Sequence, residues 1–224
     1  MEGKTDRTAK KRAKMEWKGF LGFGSYAWMA LLLFAIDIAT KWVVQTTLKT
    51  DTLVYTDGIR MIDGFWYVVL SHNTFAAFGN WFNIDASNEA LVIGVRIVLI
   101  LISWLMSAVI IWYWGTRLSK KDKLMNAIMA LLFAGAVGNL IDRTFYWKAT
   151  VGFDGVIDFM CFYLLGTDRA PFAIFNVADS CLTIGIVMLI VTILVRDVRK
   201  GNKETAEEQR KEQLGDEPKD PENR

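Results

Sequence analysis

Apolar residues along this chain come in blocks of membrane-spanning length. Four blocks, at about residues 19–47, 91–114, 124–146 and 171–195, each approach the roughly 20 predominantly apolar residues that a crossing helix needs. The pattern predicts an all-α integral membrane protein with four transmembrane helices. Between the blocks lie two long polar loops, residues 49–90 and 147–170, and one short basic loop, residues 115–123. Inside the first long loop, Leu53–Tyr55, Gly58–Met61 and Trp66–Leu70 read as short strands separated by Thr-Asp-Gly and Asp-Gly turns. A loop that long is expected to carry internal structure, and a small sheet on the membrane surface is the expectation. The following segment, residues 72–82, places Phe75, Phe78, Trp81 and Phe82 where a headgroup boundary would hold them.

Charge orients the spans. Residues 1–18 carry seven Lys/Arg against three acids, and Arg117, Lys120, Lys121 and Lys123 crowd the short loop. By the positive-inside rule both face the cytoplasm, and so does the charged tail 196–224. The loop 49–90 has two basic and five acidic residues, as an outer loop should. The first block is read as a retained span and not a cleaved leader, because Asp37 and Lys41 interrupt it and no small-x-small site follows. The domain reading is therefore a cytoplasmic tail (1–18), a four-helix membrane domain (19–195) and a second cytoplasmic tail (196–224). The whole-chain charge of +2 says little when charges are so segregated, and no basic face on a folded domain points to nucleic acid.

Polar residues at membrane depth are costly and are read as functional by default. Asp37 and Lys41 share a helix face at a spacing of four. They are either a self-neutralising pair with Lys41 snorkelling or the brace of a polar pocket. Asn139, Asp142 and Arg143 share a face at the end of the third span, as an interhelical brace, a substrate contact or both. With Pro171 opening the fourth span, Asp179 falls about 12 Å along its axis, with Asn176 on the same face. The outer loops add Asn73 and Asp158. Apart from Arg96, expected to snorkel from the start of the second span, these polar clusters agree on one level near the outer surface. His72, the only histidine, is more often a hydrogen-bonded residue than a ligand. Cys161 and Cys181 read as small buried hydrophobes, and no Cys/His spacing suggests a metal.

Asp158 and Asp179 stand out. Two carboxylates held close cannot both ionise easily, so the pair shares a proton. The ionised member can take a proton from water while the other donates to a carbonyl, the logic of an aspartic protease, which needs neither metal nor nucleophilic Ser or Cys. Spacing alone leaves open the blander outcome in which Asp158 faces water and Asp179 pairs with a basic group.

Five motifs in order then resemble one family: Asp37-x-x-x-Lys41, NTFAAF at 73–78, GNLIDR at 138–143, VIDF at 156–159 and FNVAD at 175–179. The chain resembles lipoprotein signal peptidases, the signal peptidase II family of bacterial membrane aspartic peptidases, over roughly residues 25–190. The resemblance implies four helices with a small extracytoplasmic β-cradle in the first outer loop and a short surface helix. It implies removal of signal peptides from diacylglyceryl-modified prolipoproteins, by cleavage before the lipidated cysteine at the outer face of the cell membrane. Asp158 and Asp179 then stand as the catalytic pair. Asn73, Asn139, Arg143 and Asn176 stand as residues that hold the substrate or orient the pair, and Asp37, Lys41 and Asp142 as supporting polar residues. No cofactor is implied. The partners are lipidated precursors and membrane lipids, and the enzyme is expected to be monomeric. The sequence departs from the family at Phe75 and at Ala134-Gly135, where glycines are usual. Two other classes fit the sequence less well. A carrier should show internal repeats and a polar path through the bilayer, and neither is evident. An adaptor would leave the agreement of the polar clusters unexplained.

Overall fold

The computed structural model describes residues 26–48, 58–74, 88–119, 121–146, 151–152, 155–164 and 171–215. Among the described residues, four helices are long and apolar enough to cross a membrane: α1 (Tyr26–Thr47), α2 (Glu89–Arg117), α3 (Lys123–Phe145) and α4, which begins at Val177. The outward faces of α1 and α2 are apolar and exposed, with Trp28, Leu31, Trp42, Leu101, Trp104 and Leu105 all bare in the isolated chain. Such a surface suits hydrocarbon and would be a liability in water.

α3 is the buried one of the first three, and its composition says why. Ala130, Ala134, Gly135, Ala136 and Gly138 are all buried along it. A Cβ at Gly135 would lie 2.5 Å from the Ala178 carbonyl oxygen, and one at Gly138 would lie 2.6 Å from Asp37 Oδ2. These two missing side chains let α1 and the start of α4 approach the α3 backbone. At the far end of α3, the Trp114 indole donates to Asn126 Oδ1 at 2.8 Å, and the Asn126 amide donates to the carbonyls of Ser119 and Asp122. This buried knot ties the α2–α3 turn.

Four strands form one antiparallel sheet in the order β1 (Ile59–Ile62), β2 (Trp66–Asn73), β3 (Val156–Phe162) and β4 (Ala173–Phe175). Gly64, at φ 73°, makes the β1–β2 turn. Val44 of α1 packs with Leu70, Ile157 and Phe159, and Tyr146 and Val177 close over them, so the sheet is seated on the helix ends. Stacked rings of Trp66, Phe162 and Phe175 run across β2, β3 and β4.

Two expectations are corrected. The sheet is not confined to the first long loop: β3 comes from the second, where VIDFMCF carries the β-branched and aromatic residues that suit a strand, and β4 from the start of the block read as the fourth span. The fourth span does not open at Pro171. Ala173, Ile174 and Phe175 pair with Phe162, Cys161 and Met160 as an edge strand, and the helix starts only at Val177. Trp114, near the end of α2, lies fully inside, where its indole meets Asn126. The Leu53–Tyr55 strand and the headgroup-boundary residues Phe75, Phe78, Trp81 and Phe82 lie outside the described residues. From Ile186 onward α4 is a unit of its own. It is apolar and exposed to Val195, then charged from Arg196.

Candidate active site

The start of α4 builds the site. Asn176 precedes the first helical residue, and its Oδ1 accepts from the Asp179 backbone N–H at 2.9 Å. Asp179 Oδ2 accepts in return from the Asn176 N–H at 3.3 Å. This reciprocal pair is a capping box, with Asp179 in the position a Glu or Gln usually takes. A third donor, the Ala178 N–H, goes to Asp37 Oδ1 at 2.8 Å. The helix N-terminus, with its partial positive charge, therefore meets two carboxylates. Asp179 lies in the first turn of α4 and not 12 Å along a span that begins at Pro171.

Asp158 reaches the same place from the sheet. It lies on β3 opposite Ser71, where β2 changes register between Val68 and Ser71. Irregularities of this kind re-aim side chains. Here Asn73, which pairs with Val156, reaches diagonally to donate its amide to Asp158 Oδ2 at 3.0 Å. The other carboxylate oxygen accepts from Asn176 Nδ2 at 2.7 Å. The carboxyl is buried, and that burial, with the charge of Asp179 added, pushes it up to about 7. One asparagine thus touches both acids, through its side-chain amide on Asp158 and its backbone and Oδ1 on Asp179.

α3 supplies the next layer. Asn139 Nδ2 donates to Asp179 Oδ1 at 2.6 Å, and its Oδ1 accepts from Asn176 Nδ2 at 3.1 Å and from Lys41 Nζ at 3.3 Å. Asn139 and Asn176 are amides because each must donate and accept at once, which a carboxylate cannot do. Lys41, 1% exposed, sits 2.7 Å from Asp37 Oδ2 and 2.8 Å from Asp142 Oδ2. It does not snorkel, since two carboxylates hold its ammonium inside. Asp142 also accepts from the Ile157 N–H at 3.4 Å, next to Asp158. The Arg143 guanidinium is within electrostatic reach of both Asp158 and Asp179.

All nine residues picked out from the sequence therefore converge at one end of the helices. Asp158 and Asp179 sit at the centre, and Asp142 faces Lys41 instead. Missed were the capping geometry of Asn176 and the role of Gly155. At φ 100° its missing Cβ leaves room for the Asn73 carbonyl, which a Cβ would approach to 2.4 Å. His72 Nε2 donates to Gln45 Oε1 at 2.8 Å, tying β2 to α1. Arg96 was misread: it is buried, its Nε donates to the Arg143 carbonyl at 3.1 Å, and its Nη2 donates to the Tyr146 carbonyl. A charged side chain near a span end gives no sign of which way it turns.

Fold and site together define a multi-pass membrane protein with a buried pair of carboxylates at a helix–sheet junction. Comparison with known proteins narrows this. Residues 29–195 match the family described as signal peptidase (SPase) II. The lipoprotein signal peptidase of Bacillus pumilus is 30% identical over 180 residues, covering 80% of this chain and 98% of that protein. The lipoprotein signal peptidase of Desulforapulum autotrophicum is 34% identical over 170 residues, covering 76% and 91%. Among solved structures, a bacterial membrane enzyme determined by the in meso method superposes with a TM-score of 0.60 at 26% identity, covering 79% of this chain and 92% of that one. The chain belongs to the signal peptidase II family of membrane aspartic peptidases.

Proposed function

We propose that this protein removes the signal peptide from diacylglyceryl-modified prolipoproteins, cleaving before the lipidated cysteine, with Asp158 and Asp179 as its catalytic pair. The observation that carries the assignment is the double engagement of Asn176, whose amide and backbone bind one carboxylate each. A shared asparagine fixes the spacing of two acids that would otherwise repel.

The reaction needs one proton on the pair. Asp158, held near 7 by burial and by its neighbour, is the member that keeps it at neutral pH. Water attacks the scissile carbonyl carbon, Asp179 takes the proton that water loses, and Asp158 gives its proton to the carbonyl oxygen. The tetrahedral diol then collapses: the C–N bond breaks, Asp179 passes its proton to the leaving amine, and a diol hydroxyl returns one to Asp158. Arg143 supplies positive potential as charge moves onto the substrate oxygen. Asn73, Asn139 and Asn176 orient the carboxylates and offer their remaining valences to the substrate backbone. Asp37, Lys41 and Asp142 form a buried ion cluster under the pair, one ammonium held between two carboxylates.

The basic tail and the basic 115–123 loop support a cell-membrane orientation with both termini in the cytoplasm and the site at the outer face. We read the working unit as a monomer within the lipid bilayer. The test is a gel-shift assay with purified protein in detergent and a diacylglyceryl-modified prolipoprotein. Asp158→Asn and Asp179→Asn should each lose cleavage by at least about 100-fold, the lower bound for general acid–base groups. Asp142→Asn should retain measurable cleavage. Full activity in either of the first two would refute the assignment, and an inactive Asp142→Asn beside an active Asp158→Asn would move the pair.

A further inference from the structure

We propose that Arg96 is a positioning residue for the reaction: its guanidinium pins the end of α3 to α2, through the Arg143 carbonyl and the Tyr146 carbonyl that also holds Gly155 before β3, and so sets Asp158 and Arg143 in register with each other. The inference rests on the carboxylate-pair reading above.

Arg96 lies about two turns into α2 and is 3% exposed. A cation buried at that depth is costly unless its donors are used. Two of them go to the carbonyls of Arg143 and Tyr146. The first carbonyl lies in the last turn of α3 and the second on its C-cap residue, at the end where a helix leaves carbonyls without intrahelical partners and carries its partial negative charge. A planar fork can take two such carbonyls at once, which a lysine ammonium does less well.

The Tyr146 carbonyl is also the acceptor for the Gly155 N–H at 3.3 Å. Gly155 stands directly before β3, and its missing Cβ is what lets the Asn73 carbonyl lie against it. Three residues on is Asp158, to which the Asn73 amide donates. One carbonyl thus joins α2, the end of α3 and the first residue leading into β3. The second carbonyl held by Arg96 belongs to Arg143 itself, whose side chain lies in the field of both acids. The Tyr146–Gly155 bond and the Ile157 N–H on Asp142 Oδ2 tie the α3 end to the β3 start; without the fork this joint loses its anchor to α2, and with it Asp158 and Arg143 lose the anchor they share.

The experiment uses the full-length enzyme in detergent with the lipidated precursor, and compares kcat, KM and thermal midpoint for Arg96→Gln, Arg96→Lys and Trp114→Phe. Trp114 closes the opposite end of the α2–α3 pair, so its substitution reports what loosening these helices does by itself. Arg96→Gln is expected to lower kcat by about 10- to 100-fold, the scale of a displacement of order 1 Å at the reacting groups, with KM within about threefold of wild type. Arg96→Lys should recover part of kcat, and Trp114→Phe should lower the thermal midpoint with kcat intact. If Arg96→Gln does not fold, a kcat loss in Arg96→Lys at near-wild-type stability carries the same conclusion. The proposal is overturned if the folded Arg96 variants keep wild-type kcat, if their loss falls on KM, or if it only follows the unfolded fraction. Inactive Asp158→Asn and Asp179→Asn beside fully active Arg96 variants would reject this inference alone, whereas active Asp variants would reject the carboxylate reading.

Discussion

At the scale of single residues, the site joins two electrostatic arrangements of opposite kind. Lys41 between Asp37 and Asp142 is a buried charge cluster whose members compensate one another. Lys41→Met would leave two carboxylates buried without their cation. A loss of about 3–5 kcal/mol of stability is expected, readable as a lower thermal midpoint together with lost cleavage. Asp158 is the opposite case, a carboxyl surrounded by amide donors and by another acid, and pushed up to about 7. Its proton is required for transfer to the substrate carbonyl and is lost as pH rises through that value. The rate constant kcat/KM should therefore fall about tenfold per pH unit on the alkaline side of about 7, an apparent value that belongs to the pair. A pH–rate profile flat from 6 to 9 would contradict the shared proton. Both groups were legible as residue types in the sequence. That Asp158 faces Asp179 came from the family motifs and not from spacing, and that Asp142 reaches Lys41 was not legible at all, because offsets along a helix say nothing about what packs across from it.

At the scale of elements, the decisive feature is that α4 begins where β4 ends. Hydrophobicity alone ran the fourth span back to Pro171, since Phe172–Phe175 is as apolar as the helix that follows. Period cannot separate a short buried strand from a helical turn. The sheet pairing of Ala173–Phe175 with β3 decides it and brings Asp179 into a first turn, where its carboxylate completes the cap. The four spans were visible because length and apolarity suffice for them. β3 was not, because its partner β2 is more than 80 residues away and strand pairing is a tertiary fact. The two glycines of α3 show the same limit: small residues announce close approach but not the neighbour. That neighbour is now identified for Gly138, where a Cβ would meet Asp37 Oδ2 at 2.6 Å and Ala178 Cβ at 2.9 Å. Gly138→Ala must push Asp37 off the α4 N-terminus. A destabilisation of about 1–3 kcal/mol is expected, with a fall in kcat larger than that from Gly185→Ala, whose Cβ would come nearest to the Leu132 side chain and Leu131 Cβ. Equal effects of the two substitutions on kcat would mean that Gly138 matters for helix packing alone.

At the scale of the whole molecule, the arrangement of charge and site makes an orientation testable. The helix ends that carry the sheet and the two acids are opposite, along the chain, to the ends joined by the basic 115–123 turn. A peptidase of this kind must meet its substrate on the side to which precursors are translocated, and the basic turn should stay on the other. The native cysteines make a clean background, since Cys161 is 1% and Cys181 5% exposed. Single cysteines at exposed positions then report sidedness: Gly64→Cys in the β1–β2 turn and Ser119→Cys in the α2–α3 turn. In intact cells, with the outer envelope made permeable where there is one, a membrane-impermeant maleimide should label Gly64→Cys and leave Ser119→Cys unmodified until the membrane is broken. The positive φ at Gly64 makes that substitution locally strained, so Asp63→Cys, equally exposed in the same turn, serves as its duplicate. Labelling of Ser119→Cys in intact cells, with the sheet turn protected, would place the acids on the cytoplasmic side and leave a translocated precursor out of reach. The same readout separates the orientation from the chemistry, because an inverted enzyme solubilised in detergent would still cleave.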